Sequence, residues 1–129
     1  MNNTIKIAAV FGALAVALGA FGAHSLQDKL DEKAMHVYQT GVSYQFYHVF
    51  ALLAVGLLQL RAENKFLKWS AHFFITGLIL FSGSLYALTA FKLFKMSGFD
   101  LIGAITPVGG IMFITGWILL FLGASNSSK

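Results

Sequence analysis

The chain has 129 residues, of which 57% are hydrophobic and only 11% charged, with nine Lys or Arg against five Asp or Glu. Soluble domains carry about 25% charged residues, so this composition argues against a water-soluble fold, and the length suits one domain with no soluble enzymatic module attached. The chain lacks cysteine, which removes disulfides, thiol nucleophiles, thiolate metal sites and Cys-linked lipid anchors.

Four apolar runs, about 7–23, 37–60, 66–91 and 101–123, fill most of the sequence. Each approaches the roughly 20 residues a helix needs to cross about 30 Å of hydrocarbon. Backbone groups in lipid must satisfy one another within the segment. The expectation is an all-α, four-transmembrane-helix bundle forming a single integral membrane domain over 1–129.

The first run has Lys6 ahead of it and small residues at Gly22 and Ala23, features shared with secretory signals. Its apolar stretch exceeds a usual signal core, so a retained helix is expected. Ala8, Gly12, Ala15, Gly19 and Ala23 form a stripe at three- and four-residue steps. In lipid, close backbone approach and polar contacts join helices, so Gly12, Gly19 and Gly22 are candidate packing positions.

The segment His24–His36 is the one sizeable polar insert. Ser25 followed by Asp28 resembles a capping box, and Leu26, Leu30, Ala34 and Val37 recur at helical spacing. We expect a short interfacial helix between helices 1 and 2, lying among the headgroups.

The second run carries the clearest chemical signal. Tyr38, Gly41, Gln45, His48 and Leu52 share one face, and Tyr44 precedes His48 by one turn. Unpaired polar groups are costly in hydrocarbon, so this face should turn inward and find partners. At 1.5 Å per residue His48 lies about 18 Å from Leu60, and Ser82 about 21 Å from Lys68. Ser82, Ser84 or Tyr86 of the third run is therefore expected to bond His48. The candidate intramembrane polar cluster is Tyr38, Gln45, His48, Ser82, Ser84 and Tyr86.

In the third run Ser70, Gly77 and Ser84 repeat every seven residues. The 92–100 connection, with Ser97 and Gly98, reads as a turn. In the fourth run Gly109, Gly116 and Gly123 repeat every seven residues, as do Gly103 and Gly110. Gly109, Gly110 and Gly116 are expected to face neighbouring helices. Pro107 should kink or unwind the first turns of this helix.

Lys6, Arg61, Lys65, Lys68 and Lys129 fall on one side of the membrane, and Lys29, Lys33, Lys92 and Lys95 on the other. Five against four places both termini in the cytoplasm by the positive-inside rule. The basic loops suit anionic headgroups better than nucleic acid, which is not expected as a partner.

No Asp or Glu lies in the four runs, which argues against a proton-coupled pump, and no nucleophile–base pair or phosphate loop appears. The four histidines sit at different depths. A zinc ion needs ligands about 2 Å away, so only His24 and His36 could meet, with Gln39 nearby. Neither a metal nor another cofactor is expected.

The motifs reached along the chain also resemble a known family. Gly19-Ala20-Phe21-Gly22-Ala23-His24, Tyr44-Gln45-Phe46-Tyr47-His48 with Ala51-Leu52-Leu53, Phe81-Ser82-Gly83-Ser84-Leu85-Tyr86, Thr106-Pro107-Val108-Gly109-Gly110 and Gly116-Trp117 occur in this order. Together they look like the bacterial "domain of unknown function 423" family of small integral membrane proteins, related to the animal transmembrane protein 256 type. The resemblance covers nearly the whole chain and implies four spanning helices in the bacterial plasma membrane. It brings no reaction, substrate or cofactor.

The reading from sequence is thus a non-enzymatic plasma-membrane protein with a structural, membrane-integrity or assembly role. Its expected partners are membrane lipids, a second copy of itself or another membrane protein. The alternative is a small channel or transporter for a proton, ion or neutral solute that uses the His48 face. A membrane redox or metal protein is a third reading.

Overall fold

The computed structural model describes residues 3–97 and 99–127, and among them the structure is helical with no strand. Helix α1 spans Asn3–Phe21 and continues through a π-helical turn at Gly22–Leu26. Helix α2 spans Glu32–Arg61. Helix α3 (Lys65–Gly77) runs through a second π-helical turn at Leu78–Ser82 into α4 (Gly83–Leu93). Helix α5 spans Phe99–Ser127. The result is four apolar rods, Asn3–Leu26, Glu32–Arg61, Lys65–Leu93 and Asp100–Asn126, each long enough to cross a bilayer. They contain the four predicted runs, so the all-α four-span bundle is borne out and the chain is an integral membrane protein.

The interfacial helix expected at 24–36 is not formed. His24–Leu26 belong to the π-helical turn that prolongs α1, and Gln27–Leu30 are turn and bend. Residues 32–36 are already the first turn of α2. The cap is Asp31 rather than Ser25: its carboxylate accepts from the Ala34 N–H at 2.7 Å. An exposed acid at this position satisfies a free amide donor and complements the positive end of the helix dipole. Ser25 has no such role because α1 has not yet ended.

Asn64 does the same work at the next turn. Its Oδ1 accepts from Leu67 N–H at 3.0 Å, and its Nδ2 donates to the Gly123 carbonyl at 3.2 Å, so it starts α3 and fastens it to the end of α5. The chain leaves α4 through a double closure in which Met96 N–H donates to Phe91 O at 2.8 Å and Lys95 N–H to Lys92 O at 3.2 Å. This motif needs a left-handed residue after the helix, and here it is Lys95 with φ 55°. Gly98, expected in the same turn, lies outside the described residues. Helix α5 is continuous through Pro107, with no unwinding.

The rods are antiparallel. Along the α3–α4/α5 seam, Leu67 meets Gly123, Gly77 meets Phe113, and Phe81 meets Gly109, so one chain ascends as the other descends. Along α1/α2, Ile5 meets Gly56, Gly12 meets Val49, and Gly19 meets Val42. The second and third spans form the centre, while the first and fourth lie outside and are mostly exposed to what surrounds the bundle. The core, built from Leu52, Val55, Leu67, Phe74 and Phe113 with small partners Ala8 and Ala71, occupies the interior between α2, α3 and α5.

Candidate functional site

The polar face of α2 faces inward, and its side chains are shared among three helices. Gln45, 3% exposed, donates from Nε2 to the Phe11 carbonyl of α1 at 2.8 Å. Its Oε1 accepts from the Tyr86 hydroxyl of α4 at 2.6 Å. Tyr38 donates its hydroxyl to the Leu18 carbonyl of α1, and its ring lies 5.5 Å from that of Tyr86. Ser82, at the end of the second π-helical turn, donates to the Gly41 carbonyl of α2 at 2.8 Å. One amide, two phenols and one hydroxyl thereby tie α1, α2 and α4 together. Interhelical bonds of this type contribute about 0.6 kcal/mol on average in a membrane, with a maximum of about 1.7.

His48 and Ser84 do not join this group. The expected bond from His48 to Ser82, Ser84 or Tyr86 is absent. Instead His48 Nδ1 lies 2.7 Å from the Tyr44 carbonyl one turn earlier. A carbonyl only accepts, so Nδ1 carries the proton. The imidazole lies flat on Phe113 of α5, with ring centroids 3.5 Å apart and planes 5° from parallel. Trp117 meets it edge-on at 5.9 Å. Equal depth brought His48 level with the third span, but its rotation about α2 aims it at α5. Ser84 faces α5 as well, sharing a hydrogen bond with Thr106 at 2.5 Å and donating to Phe81 O at 2.8 Å.

The glycines divide into tight and loose positions. A Cβ on Gly109 would lie 2.4 Å from the backbone nitrogen of Phe81, and one on Gly116 would lie 2.8 Å from the Phe74 ring. A Cβ on Gly22 would meet the Tyr38 ring at 2.4 Å. Gly12 and Gly19 are in ordinary contact, with Val49 and Val42 at 3.5 Å. Gly110 would meet only the Phe81 ring, at 3.9 Å, and Gly103 has nothing within 4 Å. The second heptad series of α5 therefore does not form a close contact, because it is turned about 100° from the Gly109 face (one residue in a helix of 3.6 per turn). Gly56 packs on Ile5 with a projected Cβ distance of 2.6 Å, at a position that no regular small-residue stripe in the sequence marks.

Most of these polar side chains fasten one helix to another. No buried side-chain nitrogen or oxygen among the described residues lacks a hydrogen-bond partner. The hydroxyls of Ser82 and Ser84 are held by carbonyls and Thr106, away from the only imidazole at their depth. Among the described residues no three His, Cys, Asp or Glu side chains gather as a metal site. Of three surface grooves, of about 900, 260 and 660 Å³, Tyr38 lines the second, and Gln45, His48, Ser82 and Tyr86 line none.

This arrangement belongs to a chain with clear relatives. The family described as "Protein of unknown function (DUF423)" matches residues 18–110. A UPF0382 membrane protein of Haemophilus influenzae is 44% identical over 128 residues, covering 99% of this chain and 98% of the relative. A UPF0382 membrane protein of Staphylococcus saprophyticus is 39% identical, covering 92% of this chain and 97% of its own. The UPF0382 inner membrane protein YgdD of Escherichia coli is 41% identical over 117 residues, covering 91% and 85%. No solved structure matches. The matched segment runs from the end of α1 to the Gly109–Gly110 pair and so holds the whole polar cluster and the close approach of Gly109 to the Phe81 backbone: the chain is a member of the DUF423 family of membrane proteins.

Proposed function

We propose that the protein is a non-enzymatic, non-conducting unit of the bacterial inner membrane that acts by association, with lipid or with other membrane proteins, in a structural or assembly role. One observation carries this reading: Tyr38, Gln45, Ser82 and Tyr86 of the polar cluster are held in bonds between helices, while His48 bonds within its own helix. Gln45, Tyr38 and Ser82 each end on a backbone carbonyl of a neighbouring helix, and the His48 ring is covered by Phe113. A conducting path needs polar atoms that exchange partners with the solute, whereas these are committed to the fold. The name of the Escherichia coli relative supports the inner-membrane location. The five-to-four excess of Lys and Arg on the terminal side supports cytoplasmic termini.

Proteoliposomes loaded with a pH-sensitive dye test the first part. Under imposed proton and potassium gradients, the parent should dissipate neither faster than empty vesicles do. A flux that vanishes in His48→Ala or Gln45→Ala would replace this reading with transport. A reporter fused to the C-terminus should be active only if cytoplasmic; activity confined to a periplasmic reporter reverses the orientation.

A further inference from the structure

At the end of the bundle that carries both termini, α1 and α3 each pack on α2 but make no substantial contact with each other. A groove of about 660 Å³ remains between them. Gln59, Glu63, Lys68 and His72 line it together with the apolar Ile7 and Ile75. On α1 the apolar Ile7 lies deeper than Asn3 and Thr4, and on α3 Ile75 lies deeper than Lys68 and His72. From Lys68 to Ile75 the groove descends about 10 Å along α3, at 1.5 Å per residue.

The mouth sits where headgroups should be. Trp69, 55% exposed, stands beside His72 with ring centroids 5.6 Å apart. The Lys65 ammonium lies 5.5 Å above the Phe66 ring. Exposed tryptophan and lysine collect at the boundary between hydrocarbon and water. Glu63 and Lys68 are both exposed, and among the described residues neither has an ion-pair partner. The groove thus presents one fixed cation and one fixed anion above an apolar floor.

We propose that this groove holds one glycerophospholipid whose headgroup carries both a phosphate and a primary ammonium. Lys68 and His72 take the phosphate, Glu63 accepts hydrogen bonds from the ammonium, and the first part of an acyl chain runs past Ile7 and Ile75. A zwitterion satisfies both fixed charges, whereas an anionic headgroup without an ammonium leaves Glu63 facing like charge. A trimethylated ammonium has no N–H to donate, so it satisfies Glu63 less well. The proposal deepens the association role and rests on it, since the lipid is a partner rather than a cargo.

Native mass spectrometry of the full chain in detergent, titrated with phosphatidylethanolamine, phosphatidylcholine or phosphatidylglycerol of matched acyl chains, tests it. Phosphatidylethanolamine should be retained several-fold better than the other two. Lys68→Ala should lower that retention about tenfold, as expected for one charge-assisted contact, and Lys68→Arg should restore it. Glu63→Gln should bring phosphatidylethanolamine down to the level of phosphatidylcholine. Lys65→Ala, outside the groove, should bind as the parent does. Equal retention of all three lipids, tighter phosphatidylglycerol, or an unchanged Lys68→Ala would overturn the proposal. These outcomes are separable from the flux assay: conduction by the parent would remove the inert-bundle reading and leave lipid selectivity standing, and loss of selectivity would leave a non-conducting bundle.

Discussion

Gly109→Ala is the sharpest probe of how these helices are joined. The added Cβ would stand 2.4 Å from Phe81 N and 2.8 Å from Phe81 Cα, about an ångström short of the 3.4 Å at which ordinary contact begins. The obstacle is backbone at a π-helical turn, so no rotamer change relieves it; α5 must move away from the third span. Overpacking of this kind costs about 1–3 kcal/mol. A gap of 0.5–1 Å also forfeits about a quarter to a half of each dispersion contact along the seam. Two hydrogen bonds flank the contact, Ser84 to Thr106 at 2.5 Å and Ser70 to the Gly116 carbonyl at 2.8 Å. Each is worth about 0.6 kcal/mol and stretches with the shift. Against this, alanine gains about 1 kcal/mol of helix propensity over glycine. The net expectation is a loss of about 1–3 kcal/mol. Gly103→Ala, with nothing within 4 Å, should keep the propensity gain and lose nothing. Gly110→Ala, whose Cβ would lie 3.9 Å from the Phe81 ring, should behave like Gly103→Ala. Graded unfolding in mixed micelles, followed by the fluorescence of Trp69 and Trp117, should therefore separate Gly109→Ala from Gly103→Ala by about 2–4 kcal/mol. At about 1.4 kcal/mol per decade that is more than tenfold in the folded ratio. Equal stabilities, or the reverse order, would refute the claim that this glycine is required by backbone contact.

Other consequences can be checked in the same assay. Tyr86→Phe removes the donor to Gln45 Oε1 and should cost about 0.6–1.7 kcal/mol; a double-mutant cycle with Gln45→Leu should show coupling of similar size, and additivity would mean that the pair does not interact. Asn64→Ala deletes both the α3 cap and the bond to Gly123 O and should cost about 1–2 kcal/mol, whereas Asn64→Asp retains the cap and should lose less. Lys95→Gly frees a residue held at φ 55° and should stabilise by about 1 kcal/mol; a loss would show that the lysine side chain contributes more than its backbone strain costs. Gly22→Ala drives a Cβ into the Tyr38 ring and should be partly rescued by Tyr38→Leu, with persistence of the full defect counting against that contact.

Much of the fold is legible because lipid imposes simple rules. Length and apolarity mark the spans, and the cost of a bare polar group in hydrocarbon marks the inward face of α2, where Gln45 and Tyr38 do meet other helices. Local ambiguity hides the rest. Ser25 and Asp31 are both plausible caps in sequence, and the choice between them depends on where α1 stops. That depends on a π-helical turn at Gly22–Leu26, which shifts the register by a fraction of a turn and has no compositional signature. The second π-helical turn does the same at Leu78–Ser82, delivering Ser82 to Gly41 and the Phe81 backbone to Gly109.

His48 shows why depth alone cannot assign a partner in a membrane. Translation along a helix is read directly from residue number, but azimuth is set by how the neighbouring helix packs. Gln45 and His48 are three residues apart, hence about 60° apart around α2. That difference sends the amide to Tyr86 of α4 and the imidazole to Phe113 of α5. The histidine can turn away from the serines without penalty because its Nδ1 proton finds the Tyr44 carbonyl of its own helix. An aromatic ring on α5 then covers its face. That stack, with ring centroids 3.5 Å apart, belongs to the seam that Gly109, Gly116 and Gly123 allow to close. On the reading proposed above, the polar side chains of this bundle are the means by which four helices find one register rather than a path through them.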